Sequence, residues 1–387
     1  MNALLLCALA WTSSTPVLDL PFESVGNRIY LKATVKGRPI TAILDTGAGV
    51  SVVDLALAKE VGSEGSREID VAGAGATVQK GLLLNGFEIG IDGTSLKHTI
   101  PVAVTLAGLA SLEGRPLEAV LGFELLRNYV VQVDYEASRV RFYKPETFVA
   151  PSVPSVEMKI SGGHPHVDGT INIKDLGELP VRMMLDTGAT TSFSFTGKFV
   201  SAHKLLDRYS ATQSVQIGAG VGGKMMGKRI RIDGASLGPV ALKSPVASIT
   251  ETGGGVLGDN APFDVLVGGE TLRRFTVTFD YPGKKIYFQP NSIYSSPFVG
   301  DRTGLFLKAE GKDYREFVVF ATAAGGPGAE AGIREGDQIL EVNGKPAVSF
   351  TLESLRRFLR ESTMTLNLKV KRGSEVVNVS FVPREIV

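Results

Sequence analysis

Ile43-Leu44-Asp45-Thr46-Gly47-Ala48 is the stretch that decides the fold, because it recurs 141 residues later as Met184-Leu185-Asp186-Thr187-Gly188-Ala189. In each copy an apolar strand leads into an acid, a hydroxyl and a glycine, which is the layout needed to hold a carboxylate at a tight turn. The two copies predict two carboxylates, those of Asp45 and Asp186, that face each other.

Further landmarks repeat in the same order along the chain. The buried strand Ala119-Val120-Leu121-Gly122 corresponds to Val265-Leu266-Val267-Gly268, and the turn at Asp134 corresponds to the turn at Asp280, both at an offset of 146 residues. A nearly constant offset across separate landmarks indicates an internal duplication. Apolar residues alternate with polar ones before each acid, so both halves are predicted to be mainly β.

The composition is that of a folded protein without a charge bias. Hydrophobic residues make up 43% of the chain and charged residues 21%, which argues against wholesale disorder. The 41 Lys and Arg residues balance 40 Asp and Glu residues, which leaves no net field to attract nucleic acid or anionic lipid. Cys7 is the only cysteine, so the body of the protein is predicted to have no disulfide, no thiol catalysis and no thiolate zinc site.

The N-terminal segment contains the longest apolar run, nine residues from Ala3 to Trp11. This run is too short to span a bilayer, so no integral membrane span is expected. With Ala8-Leu9-Ala10 it resembles the core of a signal peptide, although the basic residues that normally precede such a core are missing. A frayed apolar terminus or a misassigned start is the alternative. We expect residues 1–16 to be a signal peptide and the protein to be exported, to the periplasm or outside the cell.

Proline-containing linkers divide the chain into three parts. Pro151-Ser152-Val153-Pro154 separates the two halves, and Ser295-Ser296-Pro297 follows the second. The predicted boundaries are residues 17–148 for the first lobe, 149–293 for the second and 300–387 for a third domain. In the third domain Thr351 to Arg360 carries leucines on one face, which predicts an amphipathic helix.

The paired acids suggest a definite chemistry. Two carboxyl groups held within a few ångströms repel each other as anions and therefore share one proton. One acid can then draw a proton from a bound water while the other donates a proton to a scissile carbonyl oxygen, with no metal or other cofactor. Thr46 and Thr187 are predicted to hydrogen-bond across the interface between the halves and to lock the spacing of the acids. Gly47 and Gly188 are predicted to permit the turn and to let the backbone approach a substrate.

The duplicated Asp-Thr-Gly-Ala, with an apolar-apolar-Gly strand downstream of each copy, resembles the aspartic peptidases of the retropepsin and pepsin superfamily. The four-residue form is closer to the retroviral type, and the resemblance covers residues 17 to about 291. In that family the shared proton of the dyad is the established explanation of the pH behaviour. The resemblance implies a bilobal double barrel that acts on a polypeptide, with Asp45 and Asp186 as the catalytic dyad and Thr46, Gly47, Thr187 and Gly188 as its support.

The same resemblance implies two glycine-rich flap tips that close over the peptide. The implied tips lie within 73–76 and 218–223, and the residues concerned are Gly73, Ala74, Gly75, Gly218, Ala219 and Gly220. Ala48 and Ala189 stand where pepsin-type enzymes carry Ser or Thr, and the loss of that hydroxyl removes a hydrogen bond that favours the ionised carboxylates. We therefore expect a pH optimum nearer neutrality than that of pepsin.

The third domain resembles a PDZ domain of the bacterial protease-associated kind. The resemblance rests on Gly304-Leu305-Phe306-Leu307 and on the run from Ala331 to Leu340. It implies a small α+β domain in which the Gly304–Leu307 loop receives a C-terminal carboxylate through backbone N–H groups, while the peptide adds as a strand. The complete expectation is a mainly β, bilobal double barrel followed by this α+β domain.

Two short polar runs have plainer interpretations. His164-Pro165-His166 is predicted to be a solvated loop rather than a metal pair, because the chain has only four histidines and no cysteine nearby. Lys224, Lys228, Arg229 and Arg231 form a small basic run that is predicted to be the outer face of a hairpin rather than a ligand site.

The sequence therefore predicts an aspartic endopeptidase whose C-terminal domain captures a substrate tail or regulates access. The main alternative is a non-proteolytic peptide-binding or scaffolding protein with the same fold. A further alternative assembles the active site between two molecules, as retroviral enzymes do, but two different lobes in one chain favour a monomeric active site.

Overall fold

The computed structural model describes residues 14–387, except for residues 64, 72, 74–77, 92–96, 211, 213–214, 221–222 and 252–254. Residues 1–13 of the predicted signal peptide lie outside the described residues. So do Ala74 and Gly75 of the first predicted flap tip. Gly73 is described and lies between residue 72 and residues 74–77, which are outside the described residues.

The first lobe consists mostly of antiparallel strands with short helices at their ends. Its elements are β1 (Leu18–Pro21), β2 (Glu23–Val25), β3 (Arg28–Val35), β4 (Arg38–Leu44), β5 (Val52–Asp54), α1 (Leu55–Glu60), β6 (Gly65–Val71), β7 (Gln79–Ile91), β8 (Lys97–Val104), α2 (Ala107–Glu113), β9 (Ala119–Leu121), α3 (Phe123–Leu126), β10 (Val130–Asp134) and β11 (Arg139–Tyr143).

The second lobe has the same general plan. Its elements are β12 (Ser155–Glu157), β13 (Lys159–Ser161), β14 (His164–Ile173), β15 (Gly177–Leu185), β16 (Phe193–Phe195), α4 (Gly197–Ala202), α5 (Leu205–Arg208), β17 (Val215–Gly220), β18 (Gly223–Arg231), β19 (Gly234–Leu237), β20 (Val240–Lys243), β21 (Val246–Thr250), β22 (Val265–Val267), α6 (Gly269–Leu272), β23 (Phe275–Asp280) and β24 (Lys285–Pro290).

Each lobe places the strand that carries its aspartate beside a short strand buried on both faces. In the first lobe β4 pairs in parallel with β9, and all three residues of β9 are buried. In the second lobe β15 pairs in parallel with β22, which is equally buried. Continuous apolar sequence suits a strand covered on both sides. These two pairs are the apolar-apolar-Gly landmarks of the sequence, and they confirm that the two halves repeat one topology.

A six-stranded sheet, in the order β1-β11-β10-β23-β24-β12, joins the two lobes. Its central pair is the antiparallel contact of β10 with β23, in which Gln132 faces Thr278. These two residues are 146 apart, which is the offset of the repeat. Equivalent residues therefore face each other, so an approximate two-fold axis passes through this pair, and one apolar core extends through both lobes.

The third domain follows a linker that is wrapped around Arg274. This guanidinium is buried, donates to the carbonyls of Ile293, Tyr294, Ser296 and Pro297, and lies 3.6 Å from the ring centroid of Phe298.

The elements of the third domain are β25 (Leu305–Glu310), β26 (Glu316–Thr322), α7 (Pro327–Glu330), β27 (Gln338–Val342), β28 (Lys345–Pro346), α8 (Leu352–Glu361), β29 (Leu366–Arg372) and β30 (Glu375–Phe381). Three 3₁₀ turns complete the described helices, at Pro145–Thr147, Gly255–Leu257 and Ala347–Ser349.

The predicted amphipathic helix of the third domain is confirmed as α8. Thr351 caps its N-terminus through a reciprocal hydrogen-bond pair with Ser354, and Leu352, Leu355 and Leu359 enter a core that belongs to this domain alone. The expected fold class is also confirmed, with two mainly β lobes followed by an α+β domain. Within the described part of the chain, none of the helices combines the length and apolarity needed to cross a membrane.

The third domain packs tightly against the first lobe. The Ser111 hydroxyl on α2 donates to the carbonyl of Ala309 on β25 at 2.6 Å, and the backbone N–H of Gly26 donates to the Glu353 carboxylate at 3.2 Å. A Cβ on Gly114 would lie 2.5 Å from the Cβ of Leu352, so only glycine allows α8 to approach this closely. The three parts therefore form one packed body.

The prediction that His164-Pro165-His166 is a solvated loop is wrong. These residues begin β14, and His166 is buried between β13 and β15. Burial lowers the pKa of His166 to about 4. Val167, Ile171 and Ile173 are buried residues of the same strand. The strand therefore begins closer to the N-terminus than the sequence of this segment indicated.

The stability of the third domain is predicted to depend on Asp337. This carboxylate is fully buried, accepts two hydrogen bonds from the Arg372 guanidinium at 2.8 and 2.7 Å, and accepts the backbone N–H of Arg334 at 2.9 Å. The substitution Asp337→Ala leaves these donors without a partner, and we expect it to lower the free energy of unfolding by about 2–3 kcal/mol, since Arg372 is partly exposed. Hydrogen exchange of β27 and β29 in the full chain measures this loss, and the exposed Asp313→Ala is the matched control.

Candidate active site

The two aspartates occupy equivalent positions at the ends of equivalent strands. Asp45 follows β4, and its backbone N–H donates to the carbonyl of Leu121 at 2.9 Å. Asp186 follows β15, and its backbone N–H donates to the carbonyl of Val267 at 2.9 Å. The buried central strand of each lobe therefore fixes where its aspartate leaves the sheet.

The structure brings these two carboxyl groups into direct contact. A side-chain hydrogen bond joins Asp45 to Asp186, and both residues remain partly exposed to solvent. The backbone N–H of Gly47 donates to the Asp45 carboxyl at 2.8 Å. Asp186 receives two such bonds, from Gly188 at 2.8 Å and from Ala189 at 3.0 Å. Asp186 is therefore the better stabilised of the two as an anion.

The threonines of the two motifs exchange hydrogen bonds across the lobe interface, as predicted. The Thr46 hydroxyl donates to the carbonyl of Leu185 at 2.8 Å and accepts the backbone N–H of Thr187 at 3.0 Å. The Thr187 hydroxyl makes the mirror-image pair, donating to Leu44 at 2.8 Å and accepting from Thr46 at 3.0 Å. Both threonines are buried, so these four bonds form without competition from water.

Close packing, and not the turn, explains glycine at these two positions of the motifs. Neither Gly47 nor Gly188 has a positive φ, so the turn alone does not require glycine. A Cβ on Gly47 would lie 2.3 Å from the carboxyl carbon of Asp186, and a Cβ on Gly188 would lie 2.3 Å from that of Asp45. Glycine is needed because each motif must pass directly against the aspartate of the other lobe.

Burial raises the pKa of both acids. Burial raises the pKa of Asp45 well above its ordinary value, and the charge of Asp186 and the hydrogen bond to it raise this pKa further. Burial also raises the pKa of Asp186, while the hydrogen bonds from Asp45, Gly188 and Ala189 oppose the rise. The pair is therefore expected to share one proton, and the two backbone N–H groups that Asp186 accepts favour the negative charge on that side.

A buried charged cluster that the sequence did not reveal lies beside the dyad. The Arg28 guanidinium donates to the carbonyl of Gly188 and to the Glu113 carboxylate on α2. The Tyr30 hydroxyl also donates to Glu113, at 2.9 Å. The positive charge of Arg28 lowers the pKa of both Asp45 and Asp186, so it partly offsets their burial. The only sequence signal was a charged residue at the start of a strand, which is too common to single out.

A second polar cluster supports the first motif from behind. Ser51 is fully buried, accepts the backbone N–H of Gly122 at 2.9 Å, donates to the Glu124 carboxylate and lies 3.0 Å from the Nε2 of His98. Because the serine is buried, this arrangement of Ser, His and Glu fixes the loop rather than presenting a nucleophile.

The second predicted flap is a hairpin, but its predicted tip residues lie in the strand. Gly218, Ala219 and Gly220 are the last three residues of β17, and β18 begins at Gly223. Residues 221–222, which connect the two strands, lie outside the described residues. Among the described residues there is no group of three or more His, Cys, Asp or Glu side chains that would hold a metal ion.

Comparisons with known proteins agree with this geometry. The family model described as aspartyl protease matches residues 31–125 and 167–271, which is more than half of the chain, and the PDZ domain model matches residues 299–371. A search of curated proteins found no match.

Two solved structures are similar to parts of the chain. An aspartic proteinase from Irpex lacteus is 10% identical over 72% of this chain and 98% of that chain, with a TM-score of 0.45. A photosystem II D1 C-terminal processing protease is 22% identical over 24% of this chain, with a TM-score of 0.22. This chain matches only 25% of the length of that protease.

The crossed threonine bonds give a direct test of how the two lobes are held. The substitution Thr46→Val keeps the shape of the side chain but leaves the carbonyl of Leu185 and the N–H of Thr187 unsatisfied in a buried interface. We expect it to lower the free energy of unfolding by about 2–4 kcal/mol, as two buried polar groups lose their partners. Denaturant unfolding followed by circular dichroism measures the effect. Thr46→Ser retains the hydroxyl and should stay within about 1 kcal/mol of the parent; equal losses for both variants would contradict the argument.

Proposed function

The chain belongs to the aspartyl protease family and carries a PDZ domain, and from this premise we propose that it is an aspartic endopeptidase with Asp45 and Asp186 as its catalytic dyad. The observation that supports the proposal is the hydrogen-bonded pair of carboxyl groups, one from each repeat, held at an interface that remains partly open to solvent. A polypeptide substrate follows from the family and from the accessibility of the pair.

In the proposed mechanism one water molecule lies between the two carboxyl groups. Asp186, as the carboxylate, takes a proton from this water while the water oxygen attacks the scissile carbonyl carbon. Asp45 gives its proton to the carbonyl oxygen, which yields a tetrahedral diol without a covalent enzyme intermediate. Asp186 then gives its proton to the amide nitrogen and the C–N bond breaks, while Asp45 takes a proton from one hydroxyl of the diol as the new carboxyl group forms. These two transfers restore the starting protonation of the pair.

The unequal surroundings of the two acids support this division of roles. Asp186 accepts two backbone N–H groups and Asp45 accepts one. A carboxylate that receives more hydrogen bonds is the easier one to keep ionised. Two titratable groups whose environments give them different pKa values are suited to act as a base and an acid.

The PDZ domain is proposed to bind a peptide, either as a substrate tail or as a regulator. Of the four residues predicted to form the carboxylate loop, Gly304 precedes β25, and Leu305, Phe306 and Leu307 are the first three residues of this strand. β25 is an edge strand of its sheet. The expectation that a peptide adds to this edge as a strand does not fit the packed arrangement. The carbonyl of Leu307 accepts from the Arg356 guanidinium and the carbonyl of Ala309 accepts from Ser111, so two of the edge groups are already used.

Two alternatives remain as outcomes of experiment. A protein that binds peptides without cleaving them would show affinity but no products. An active site assembled from two chains would lose activity on dilution. For the single-chain dyad proposed here, we expect the activity per molecule to be independent of concentration. Sedimentation velocity, combined with activity measured across a dilution series, separates these cases. Export by an N-terminal signal peptide stays a prediction.

The first activity prediction concerns the dyad itself. Asp45→Asn and Asp186→Asn should each reduce cleavage of an unfolded protein substrate by about a thousandfold or more, because each removes one partner of a general acid–base pair. Product formation is followed by mass spectrometry. Asp313→Asn, which changes an exposed aspartate of the PDZ domain, should leave the rate unchanged. Cleavage that survives either dyad substitution would reject the mechanism.

The second activity prediction concerns pH. Activity should fall in acid as Asp186 takes up a proton, and in alkali as Asp45 loses its own. The pKa of each acid is raised above the ordinary value of 3.8, so both limbs of the pH–rate profile move to higher pH. The optimum should therefore lie above about pH 4. A pH–rate profile, with circular dichroism at each pH to exclude unfolding, makes the measurement. An optimum confined below about pH 3 is incompatible with the assigned shifts.

A further inference from the structure

The two copies of the motif differ in a way that their sequence does not explain. Each copy reads Asp-Thr-Gly-Ala from the aspartate onward. The Asp45 carboxyl accepts one backbone N–H, from Gly47, whereas the Asp186 carboxyl accepts two, from Gly188 and Ala189. Because the motifs are identical, the reason for this asymmetry lies in the residues that surround them.

An arginine of the first lobe donates to the second motif. The Arg28 guanidinium donates through Nε to the carbonyl of Gly188 and through a terminal nitrogen to the Glu113 carboxylate. Only 12% of the Arg28 side chain and 6% of the Glu113 side chain are exposed, so water competes little for these bonds. We refer to Glu113, Arg28 and the peptide group between Gly188 and Ala189 as the arginine bridge.

The arginine bridge reaches Asp186 through one peptide group. The carbonyl that accepts from Arg28 and the N–H of Ala189 belong to the same planar amide, and this N–H donates to the Asp186 carboxyl at 3.0 Å. A positive charge at the carbonyl oxygen polarises the amide and makes its N–H a stronger donor. A carboxyl group that receives a stronger donor is more readily ionised. Arg28 therefore favours the negative charge on Asp186 in particular.

His164 of the second lobe occupies the position that corresponds to Arg28. It begins β14 as Arg28 begins β3, and each follows a turn of two residues with positive φ, Gly162-Gly163 and Gly26-Asn27, respectively. The His164 ring lies beside the first motif, since a Cβ on Gly49 would be 3.2 Å from its Nε2. The repeat therefore places an imidazole beside one motif and a guanidinium beside the other.

The first motif lacks the contact that the arginine bridge makes. Within the described part of the chain, no side chain donates to the carbonyl of Gly47, which corresponds to that of Gly188. The N–H of Ala48 donates to the backbone carbonyl of Asp45 at 3.3 Å and forms no bond with the carboxyl group. The donor to the carbonyl and the second donor to the acid thus occur together in one repeat and are missing together from the other.

The arginine bridge belongs to a small network of charges. The Tyr30 hydroxyl donates to Glu113 at 2.9 Å, and the Arg115 guanidinium lies 4.3 Å from the centroid of the Tyr30 ring. The other ionisable groups that face the bridge or the dyad are Glu353 and Arg356 on α8, Glu270 on α6, Tyr135 beside Asp186 and Tyr281 beside Asp45. Burial raises the pKa of both of these tyrosines, so they stay neutral while the dyad titrates.

We propose that Arg28 is a positioning residue of the dyad, which holds the negative charge on Asp186 by donating to the peptide group between Gly188 and Ala189. Glu113 fixes the guanidinium in this position. A duplicated fold would otherwise give two equal acids, and an arginine that is present in only one repeat makes them unequal. The inference rests on the division of roles in the proposed function, in which Asp186 is the base.

The test compares the pH profile of kcat/KM for the full chain and for Arg28→Met, with an unfolded protein as the substrate. The variant loses both donors but keeps an unbranched apolar side chain. We expect the acid limb to move to higher pH by about one pH unit, because Asp186 is less readily ionised, so kcat/KM on that limb falls about tenfold. KM should stay within about twofold, since the arginine bridge acts through the backbone of the motif.

A double variant separates the contact from the charge. Arg28→Met alone leaves the Glu113 carboxylate buried without its cation, which is destabilising. Arg28→Met combined with Glu113→Gln removes the pair without a change in net charge, and the new amide oxygen still accepts from Tyr30. The acid limb of the double variant should also move to higher pH, and thermal melting checks that it is folded. A limb that stays at the parent position in the folded double variant overturns the proposal, because only an effect of net charge would then remain.

Arg38→Met is the matched control in the same lobe. Arg38 begins β4, the strand that precedes Asp45, and pairs with Glu60 and Glu118 at the surface. This substitution therefore removes an arginine from an arginine–glutamate pair without contact with either motif, and its pH profile should equal that of the parent. An acid limb that Arg38→Met moves as far as Arg28→Met does overturns the specific role of Arg28.

A second measurement needs no catalytic activity. Carbon-13 NMR of labelled aspartate carboxyl groups follows both acids in the parent chain, and Asp45→Asn and Asp186→Asn assign the two signals. In the pH range where the pair holds one proton, we expect the Asp186 signal to be that of the ionised group. The opposite assignment overturns the proposal. An inactive parent with the expected signals rejects the proposed function alone, whereas an active parent whose acid limb does not respond to Arg28→Met rejects this inference alone.

Discussion

The constraint on which the rest of the structure depends is the exchange of hydrogen bonds between Thr46 and Thr187. Each hydroxyl satisfies one carbonyl and one N–H of the opposite lobe, and all of these groups are buried. Separating the lobes would leave them unpaired at a cost of about 1–3 kcal/mol for each group. Since an aspartate directly precedes each threonine, this one contact also sets the distance between the two carboxyl groups and hence their shared proton.

The sequence predicted this part of the molecule because the duplication made it visible. The nearly constant offset of 141 to 146 residues between landmarks predicted β4, β9, β10 and their counterparts. The facing pair Gln132 and Thr278 shows the offset of 146 in the structure. The threonine contact was predictable for the same reason. Local patterns also identified α8, where a capping residue precedes three leucines on one face.

Contacts between distant segments could not be predicted in this way. Arg28 meets Glu113 across 85 residues and Gly188 across 160, and no periodicity relates these positions. His166 was predicted to be solvated because the sequence offers too few further metal ligands near it, yet strand pairing on both sides buries it. Arg229 looked like part of an exposed basic face, and only the docking of the PDZ domain encloses it. Each error came from tertiary packing that overrides a local pattern.

The position of the PDZ domain follows from the same helix that supports the dyad. Through Glu113, α2 fixes Arg28 against the second motif, and through Ser111 it holds β25 of the PDZ domain. A short rigid helix with both contacts cannot shift at one end without shifting at the other, because protein interiors are close-packed. The PDZ domain is therefore part of the packed body that positions the dyad. A change in its docking would reach Gly188 through only two side chains, Glu113 and Arg28.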